Sequence, residues 1–201
     1  MPLDRVLAIT WRNFATLFLI VALVTVPLHV GRAFIYRKVI AARELEPEIE
    51  AFPEGREVRG IGPEDLDANR RSLLIVTIIE LAMLPLAVGA VRRALWIDRW
   101  EGPPGVLDAW AHSTSALMQR REGPGPSLGT IAAGGGVGVA VGFLTERIGS
   151  ILIQPVPLYL AFAPLGLVQG VSRALGAIFF LVPLALLGPR PKVIRPASRT
   201  Q

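Results

Sequence analysis

A single acidic residue, Glu80, lies near the middle of an otherwise apolar run from residue 73 to residue 91. A carboxyl group at that depth in a membrane costs about 2.5–3.5 kcal/mol unless it is protonated, paired or hydrated. Glu80 is therefore a candidate for handling a proton or cation, or for contacting a ligand in a polar cavity. The alternative is a buried structural acid paired with an arginine of a neighbouring segment, for which the sequence offers Arg32, Arg147 and Arg173. Because no second carboxylate or conduction motif accompanies Glu80, the structural pair is the favoured interpretation.

His29 is the second candidate residue of this intramembrane polar site. It stands between Pro27 and Arg32, near the end of the first apolar run. Histidine is the side chain that changes charge near neutral pH, so a functional role at this position is conceivable. The competing and favoured interpretation is a kinked helix end whose polar residues lie among the lipid headgroups.

Gly134, Gly138 and Gly142 form a glycine series with a spacing of four residues. Residues four apart lie on one face of a helix, and small residues there let another helix approach closely. The series therefore predicts helix packing, either against another helix of this chain or against a second protein. Gly134-Gly135-Gly136 neither follows a predicted strand nor precedes Lys-Ser/Thr, which argues against a phosphate-binding loop.

Motifs of catalysis and metal binding are missing from the sequence. It contains no cysteine, only His29 and His112 as histidines, and no HExxH or GxSxG pattern. We therefore expect no enzyme activity, no catalytic residues, no metal site and no cofactor. The net charge of +5 comes without an aromatic-basic motif, so we expect no nucleic acid partner.

Composition and hydropathy indicate a membrane protein. Of the 201 residues, 52% are hydrophobic and 18% charged, against about 25% charged residues in soluble domains. The sequence predicts a single all-α, polytopic membrane domain with four or five transmembrane helices. The four firmer spans cover about residues 14–35, 73–95, 128–146 and 171–188. The proline-containing run at 149–169 is either re-entrant or an additional span, and the distribution of basic residues favours four spans.

Three polar segments separate or follow these spans. Residues 41–72 contain nine acidic residues and five arginines, which predicts an acidic extracytoplasmic loop. Residues 104–121 carry apolar side chains at helical spacing, which predicts one amphipathic helix in the membrane interface; docking onto a cytosolic partner is the alternative. Residues 189–201 are basic and rich in proline, which predicts a disordered tail.

The charges also predict an orientation. Arg5, Arg12, the arginine-rich segment 92–121 and the basic tail favour a cytoplasmic location under the positive-inside rule, although the basic cluster at 32–43 opposes it. All four tryptophans would then lie at the cytoplasmic interface: Trp11, Trp96, Trp100 and Trp110. The strong preference for arginine over lysine is typical of a GC-rich bacterial genome, so we expect the bacterial inner membrane with a cytoplasmic N-terminus.

Three short patterns resemble a group of bacterial integral-membrane domains found beside glycerophosphodiester phosphodiesterases. They are Trp11-Arg12-Asn13-Phe14 before the first span, Val106-Leu107-Asp108-Ala109-Trp110 in the amphipathic segment, and an apolar helix running from Arg173 to Val182-Pro183. The chain differs from that group in its long acidic loop and in having too few residues for six helices. The resemblance implies a membrane domain without known catalysis, and it transfers no functional residues.

The sequence therefore favours a non-catalytic scaffold or accessory subunit of a membrane complex. Its expected partners are the lipid bilayer and either another membrane protein or a second copy bound through the glycine series. The competing hypothesis is a small oligomeric transporter or channel with Glu80 in its pathway. A lipid-binding or lipid-modifying enzyme is a third hypothesis.

Overall fold

The computed structural model describes residues 2–35, 63–97, 105–118, 126–156 and 158–187. Of these residues 93% are helical and none is in a strand. The predicted all-α class is therefore confirmed. The acidic stretch at 41–62, the tail at 189–201 and the side chains of Trp96 and Trp100 lie outside the described part of the chain.

Seven helices follow one another along the described residues. They are α1 (Leu3–Arg12), α2 (Phe14–Ile35), α3 (Pro63–Ile97), α4 (Val106–Ala111), α5 (Ser113–Met118), α6 (Leu128–Ile153) and α7 (Leu158–Leu187). Four of them contain stretches long and apolar enough to cross a membrane: Phe14–Ile35, Arg70–Leu95, Leu128–Ile153 and Leu160–Leu187. The described residues thus provide four spans rather than five.

The run at 149–169 forms no helix of its own. Its beginning is the end of α6, a turn follows at Gln154–Val156, and the remainder is the first part of α7. Pro164 lies inside α7 without ending it. A proline removes one backbone hydrogen bond, whereas ending a helix inside a membrane would leave several backbone groups unpaired. The proline-containing run is therefore divided between α6 and α7.

The predicted amphipathic helix at 104–121 is divided into α4 and α5 by a turn at His112. Its buried side chains are the small ones, Ala109, Ser113 and Ala116, whereas Leu107 and Met118 are 75% and 85% exposed. The face of this segment that packs on the protein is thus formed by small side chains. It is not the face of large apolar side chains that the helical spacing predicted. Small residues fit here because α3 approaches closely, as described below.

The chain divides into two compact units. The first unit comprises Met1–Ile20, Pro85–Gly136 and Ile178–Gln201, and the second comprises Val21–Leu84 and Val137–Ala177. The first unit contains α1, the segment between the second and third spans, and the end of α7.

The interiors of the two units are filled differently. Among the described residues, all of the largest fully buried side chains belong to the first unit: Val6, Thr10, Leu17, Ile20, Val91, Ile178, Leu181, Val182 and Pro183. Apart from Val21 and Val76, the buried side chains that the structure describes in the second unit are small or polar, including Ala22, Thr25, His29, Ala33, Ser72, Ala161, Ser172 and Ala174. The candidate polar residues therefore lie in the unit whose interior is already polar.

Candidate functional site

The centre of the candidate site is a contact between Glu80 of α3 and His29 of α2. Nε2 of His29 lies 3.0 Å from Oε1 of Glu80. The imidazole is almost fully buried, with 7% of its side-chain surface exposed, and the carboxyl group retains 24%. An ionised carboxylate only accepts hydrogen bonds, so Nε2–H of His29 donates to it. This contact links the first two spans through their side chains.

Two arginines complete the charge environment of Glu80. The guanidinium groups of Arg173 in α7 and Arg32 in α2 both act electrostatically on its carboxylate. The cluster of His29, Arg32, Glu80 and Arg173 thus draws on three spans. It contains one carboxylate and two guanidinium groups, which gives it a net charge of +1 while His29 is neutral. The predicted pairing of Glu80 with basic groups of neighbouring helices has this geometric basis.

Arg147 takes no part in this cluster. Its side chain is exposed, and its guanidinium carbon lies 5.1 Å from the centroid of the Phe143 ring on the same helix. A cation over an aromatic face within about 6 Å is a favourable arrangement. Of the five residues proposed from the sequence for the intramembrane polar site, the structure brings together Glu80, His29, Arg32 and Arg173.

Close contact between α2 and α7 fixes the position of His29. A Cβ atom added to Gly166 would lie 2.7 Å from Cα of Val30 and 2.9 Å from the carbonyl oxygen of His29. One turn away, Oγ1 of Thr25 donates to the carbonyl oxygen of Gly170 at 3.0 Å. Sequence reasoning did not identify Gly166 and Gly170, although their spacing of four was available as a signal.

The glycine series of α6 faces α7. In the first unit, a Cβ atom at Gly134 would lie 2.6 Å from the carbonyl oxygen of Phe179. In the second unit, a Cβ atom at Gly142 would lie 3.2 Å from the carbonyl oxygen of Ser172, and one at Gly176 would lie 2.6 Å from that of Gly138. The series therefore has a helix of the same chain opposite it at these positions.

A second polar centre, in the first unit, was missed from the sequence. Arg92 of α3 donates through Nε to the carbonyl oxygen of Ala185 at 3.1 Å and through Nη1 to those of Ala116 and Leu117 at 3.0 and 3.2 Å. Its guanidinium thus joins α3 to α7 and binds carbonyl groups near the end of α5. The sequence analysis counted Arg92 only as a topology-determining charge, because backbone acceptors have no signature in the sequence.

Further contacts attach α4 and α5 to the spans. The indole Nε1–H of Trp110 donates to the carbonyl oxygen of Ile20 in α2 at 3.1 Å, and Nε of Arg93 lies 3.5 Å from Oδ2 of Asp108. Gly89 lies directly against the backbone of Ser113, with no room for a side chain. Trp110 is therefore bound to another helix, whereas Trp11 is 77% exposed, as an interfacial tryptophan would be.

Nδ1 of His29 and Oγ of Ser172 are buried polar atoms of the second unit that make no hydrogen bond within the described part of the chain. An unsatisfied buried polar atom is unusual and calls for a physical explanation such as a water, a ligand or a proton-transfer role.

An apolar groove of about 250 Å³ lies between α6 and α7 in the second unit. Its walls include Ile148, Gly149, Leu152, Leu167, Val168 and Val171. Such a lining suits hydrocarbon rather than a polar substrate. Within the described ranges, no group of three or more His, Cys, Asp or Glu residues could hold a metal ion.

The chemistry available at the site follows from these groups. One carboxylate, one imidazole and two guanidinium groups can bind an anion, hold an ion pair, or pass a proton between Glu80 and His29. General acid–base catalysis also requires a substrate position within hydrogen-bond reach of these groups. Comparison with protein-family models, curated proteins and solved structures found no match to this chain.

Proposed function

We propose that this chain is a non-catalytic integral membrane protein that serves as a scaffold or accessory subunit of a membrane complex. Its location in this proposal is the bacterial inner membrane, with the N-terminus in the cytoplasm. The proposal draws on the four candidate membrane spans and on the way the polar residues of the chain are used. The resemblance to bacterial membrane domains found beside glycerophosphodiester phosphodiesterases remains a prediction from the sequence.

The observation that carries the proposal is the contact of Glu80 with His29 at 3.0 Å. A carboxylate held by a neighbouring imidazole, with Arg173 and Arg32 acting on it, has its charge offset by groups of the same chain. Its energetic effect is then to join spans, since a polar contact between membrane helices stabilises their packing by about 0.6–2 kcal/mol. A structural subunit requires such contacts between its spans.

The glycine contacts support the same role. Gly134, Gly142, Gly166, Gly170 and Gly176 all lie where a Cβ atom would come within 3.2 Å of a neighbouring helix. The hydrophobic effect does not drive helices together inside a membrane, because lipid tails are as apolar as the helices. Close approach of the backbones supplies the packing energy instead. We propose that small-xxx-small packing, rather than chemistry, is the property that these residues provide.

The test is the composition of the native complex. The tagged chain is solubilised from its own membranes in a mild detergent, separated on a native gel and analysed by mass spectrometry. We expect a complex that contains at least one other membrane protein. The Gly142→Leu variant should lose that complex, and Gly31→Leu, at a position with nothing within 4 Å, should keep it. Recovery of this chain without any second protein would contradict the scaffold role.

A small transporter with Glu80 in its pathway is the second candidate function. It is favoured by the 24% exposure of the Glu80 side chain and by the buried Nδ1 of His29, which makes no hydrogen bond among the described residues. Proton flux into liposomes containing the purified chain distinguishes the two functions. Transport predicts a flux that Glu80→Gln abolishes and Arg147→Gln preserves. The scaffold role predicts no flux above that of empty liposomes.

A further inference from the structure

Exposed charges of both signs lie away from the ends of the candidate membrane spans of the second unit: Glu146 and Arg147 in Leu128–Ile153, and Arg173 in Leu160–Leu187. Arg173 is thirteen residues from the beginning and fourteen from the end of the span Leu160–Leu187, so about 20 Å of helix separates it from either end. Glu146 lies seven residues before the end of Leu128–Ile153, about 10 Å from it. Both side chains are exposed. Charges exposed to hydrocarbon are costly, which favours an arrangement that covers them.

Arg173 and Glu146 differ in what they contact inside the chain. The guanidinium of Arg173 acts on Glu80, yet its side chain remains on the surface. Among the described residues, the carboxylate of Glu146 is in no ion pair. Arg147, the basic neighbour of Glu146 in the sequence, lies over Phe143 instead. Each copy therefore exposes the acid Glu146 on α6 and the base Arg173 on α7, in addition to Arg147 over its aromatic ring.

Glu146 and Arg173 lie at similar depths in the membrane. Helices α6 and α7 run antiparallel, with Gly142 against Ser172 and Gly149 against Val168. Because Glu146 lies between Gly142 and Gly149, it is level with a residue between Val168 and Ser172. Arg173 is then about one helical turn from the level of Glu146, a separation that a long arginine side chain can span.

We propose that two copies of this chain associate side by side in the membrane, with Glu146 of each copy paired with Arg173 of the other. A two-fold axis along the membrane normal keeps equivalent residues at equal depth, so the same ion pair forms twice. The charges of one copy are thus complementary to those of an identical copy. A partner of different sequence would have to supply one acid and one base at these depths.

The small buried share of α6 agrees with a dimer contact on the outer surface of this helix. Only 17% of the residues in its span window are buried inside the chain, the smallest share of the four spans. The glycine series occupies the side that faces α7, whereas Val139 and Phe143 are 75% and 55% exposed. A dimer through this outer surface leaves the glycine contacts with α7 intact, in contrast to the expected self-association through the glycine series.

Charge reversal in two separately tagged copies tests the proposal. When both tagged copies carry Arg173→Glu, or both carry Glu146→Arg, like charges face each other across the dimer. Co-purification of the two tags should then fall at least tenfold from the wild-type level. When one tagged copy carries Arg173→Glu and the other carries Glu146→Arg, both contacts again join opposite charges: one pair keeps the wild-type residues and the other has its signs reversed. Co-purification should then return to at least half of the wild-type level.

Matched variants separate loss of the pair from loss of the fold. Arg147→Glu changes an adjacent exposed charge on α6 and should leave co-purification unchanged. Because Arg173→Glu also places an acid near Glu80, the neutral Arg173→Gln provides a milder variant. It should weaken the dimer, and Glu146→Arg in the other copy should restore only one of the two pairs, so co-purification should recover less than in the mixture of the two charge reversals.

Three results would overturn the proposal: no co-purification of two wild-type copies, single reversals that retain the dimer, or a mixture of reversals that fails to restore it. Co-purification of lipid or of another membrane protein does not substitute for the second copy. The dimer goes beyond the proposed function, because it requires no second protein. A monomeric wild-type chain within a mixed complex would overturn the dimer alone, and a dimer without other proteins would overturn the scaffold role alone.

Discussion

The first and second units hold their helices together by different means. The first fills its interior with large aliphatic side chains such as Leu17 and Ile178, and its polar centre is one guanidinium bound to backbone carbonyls. The second buries small residues and places its polar contact between two ionisable side chains, His29 and Glu80. Close backbone approach occurs in both units, at Gly89 and Gly134 in the first and at Gly142 and Gly166 in the second, so the units differ in the size of their fully buried side chains and in the kind of polar contact.

The comparison shows why the two polar centres tolerate different changes. Arg92 needs its planar fork, because three carbonyl groups accept from two of its nitrogen atoms. Lysine has a single nitrogen and cannot reproduce that geometry. Glu80 instead needs only an acceptor within reach of the His29 ring. Arg92→Lys, which keeps the charge, should therefore destabilise the folded protein more than Glu80→Gln, which keeps the shape.

The largest expected effect comes from adding volume to the second unit. Gly166→Val would force a side chain against Cα of Val30, 2.7 Å from the first added carbon, and backbone on both sides limits relaxation. We expect a loss of about 3 kcal/mol in the free energy of unfolding, measured by titration with a denaturing detergent. Gly31→Val, with nothing within 4 Å, should have less than a third of that effect. Equal effects of the two variants would contradict close packing of α2 and α7.

Removing volume should be most harmful in the first unit. Leu17 is completely buried, and its replacement by alanine leaves a cavity. Because the unfolded helices remain in an apolar solvent, we expect about 2 kcal/mol, the low end of the range for leucine-to-alanine changes in cores. Leu19→Ala on the same helix, at a site 52% exposed, is the matched control and should stay within about 0.5 kcal/mol. The same detergent titration compares them.

A smaller and more local effect is expected at Arg92. Arg92→Lys removes at least two of its three hydrogen bonds to carbonyl groups, at about 0.5–1.5 kcal/mol each. Because two of those carbonyls belong to Ala116 and Leu117, amide hydrogen exchange should accelerate in α4 and α5 and change little around Glu80. Arg147→Lys should leave exchange in α4 and α5 unaltered. Uniform acceleration throughout the chain would argue against a local attachment.

The sequence predicted the fold class well because membrane spans are a property of composition. A run of nineteen residues in which Glu80 is the single charged side chain indicates a spanning helix in almost any context. An arginine was expected from the sequence as the partner of Glu80, whereas the side chain 3.0 Å from its carboxylate is His29, and Arg173 and Arg32 act on it electrostatically. His29 was named as a candidate, but its contact with Glu80 depends on which faces α2 and α3 present to each other. Hydropathy carries no information about that rotation.

Two further features lay beyond the sequence analysis for different reasons. The partners of Arg92 are backbone carbonyls of Ala185, Ala116 and Leu117, and every residue has such a group, so no residue type marks the site. The break between α4 and α5 at His112 follows from docking of this segment onto α3 at Gly89 and Arg92. Tertiary contacts of this kind override a helical periodicity that is otherwise continuous.

The central claim is that the contact between His29 and Glu80 fastens the first two spans. A double-mutant cycle with His29→Ala and Glu80→Ala, each measured by denaturing-detergent titration, tests it most directly, because the cycle isolates the pairwise energy. The expected coupling energy is about 1 kcal/mol in favour of the folded state. A coupling energy of zero, with the two single effects strictly additive, would contradict the claim.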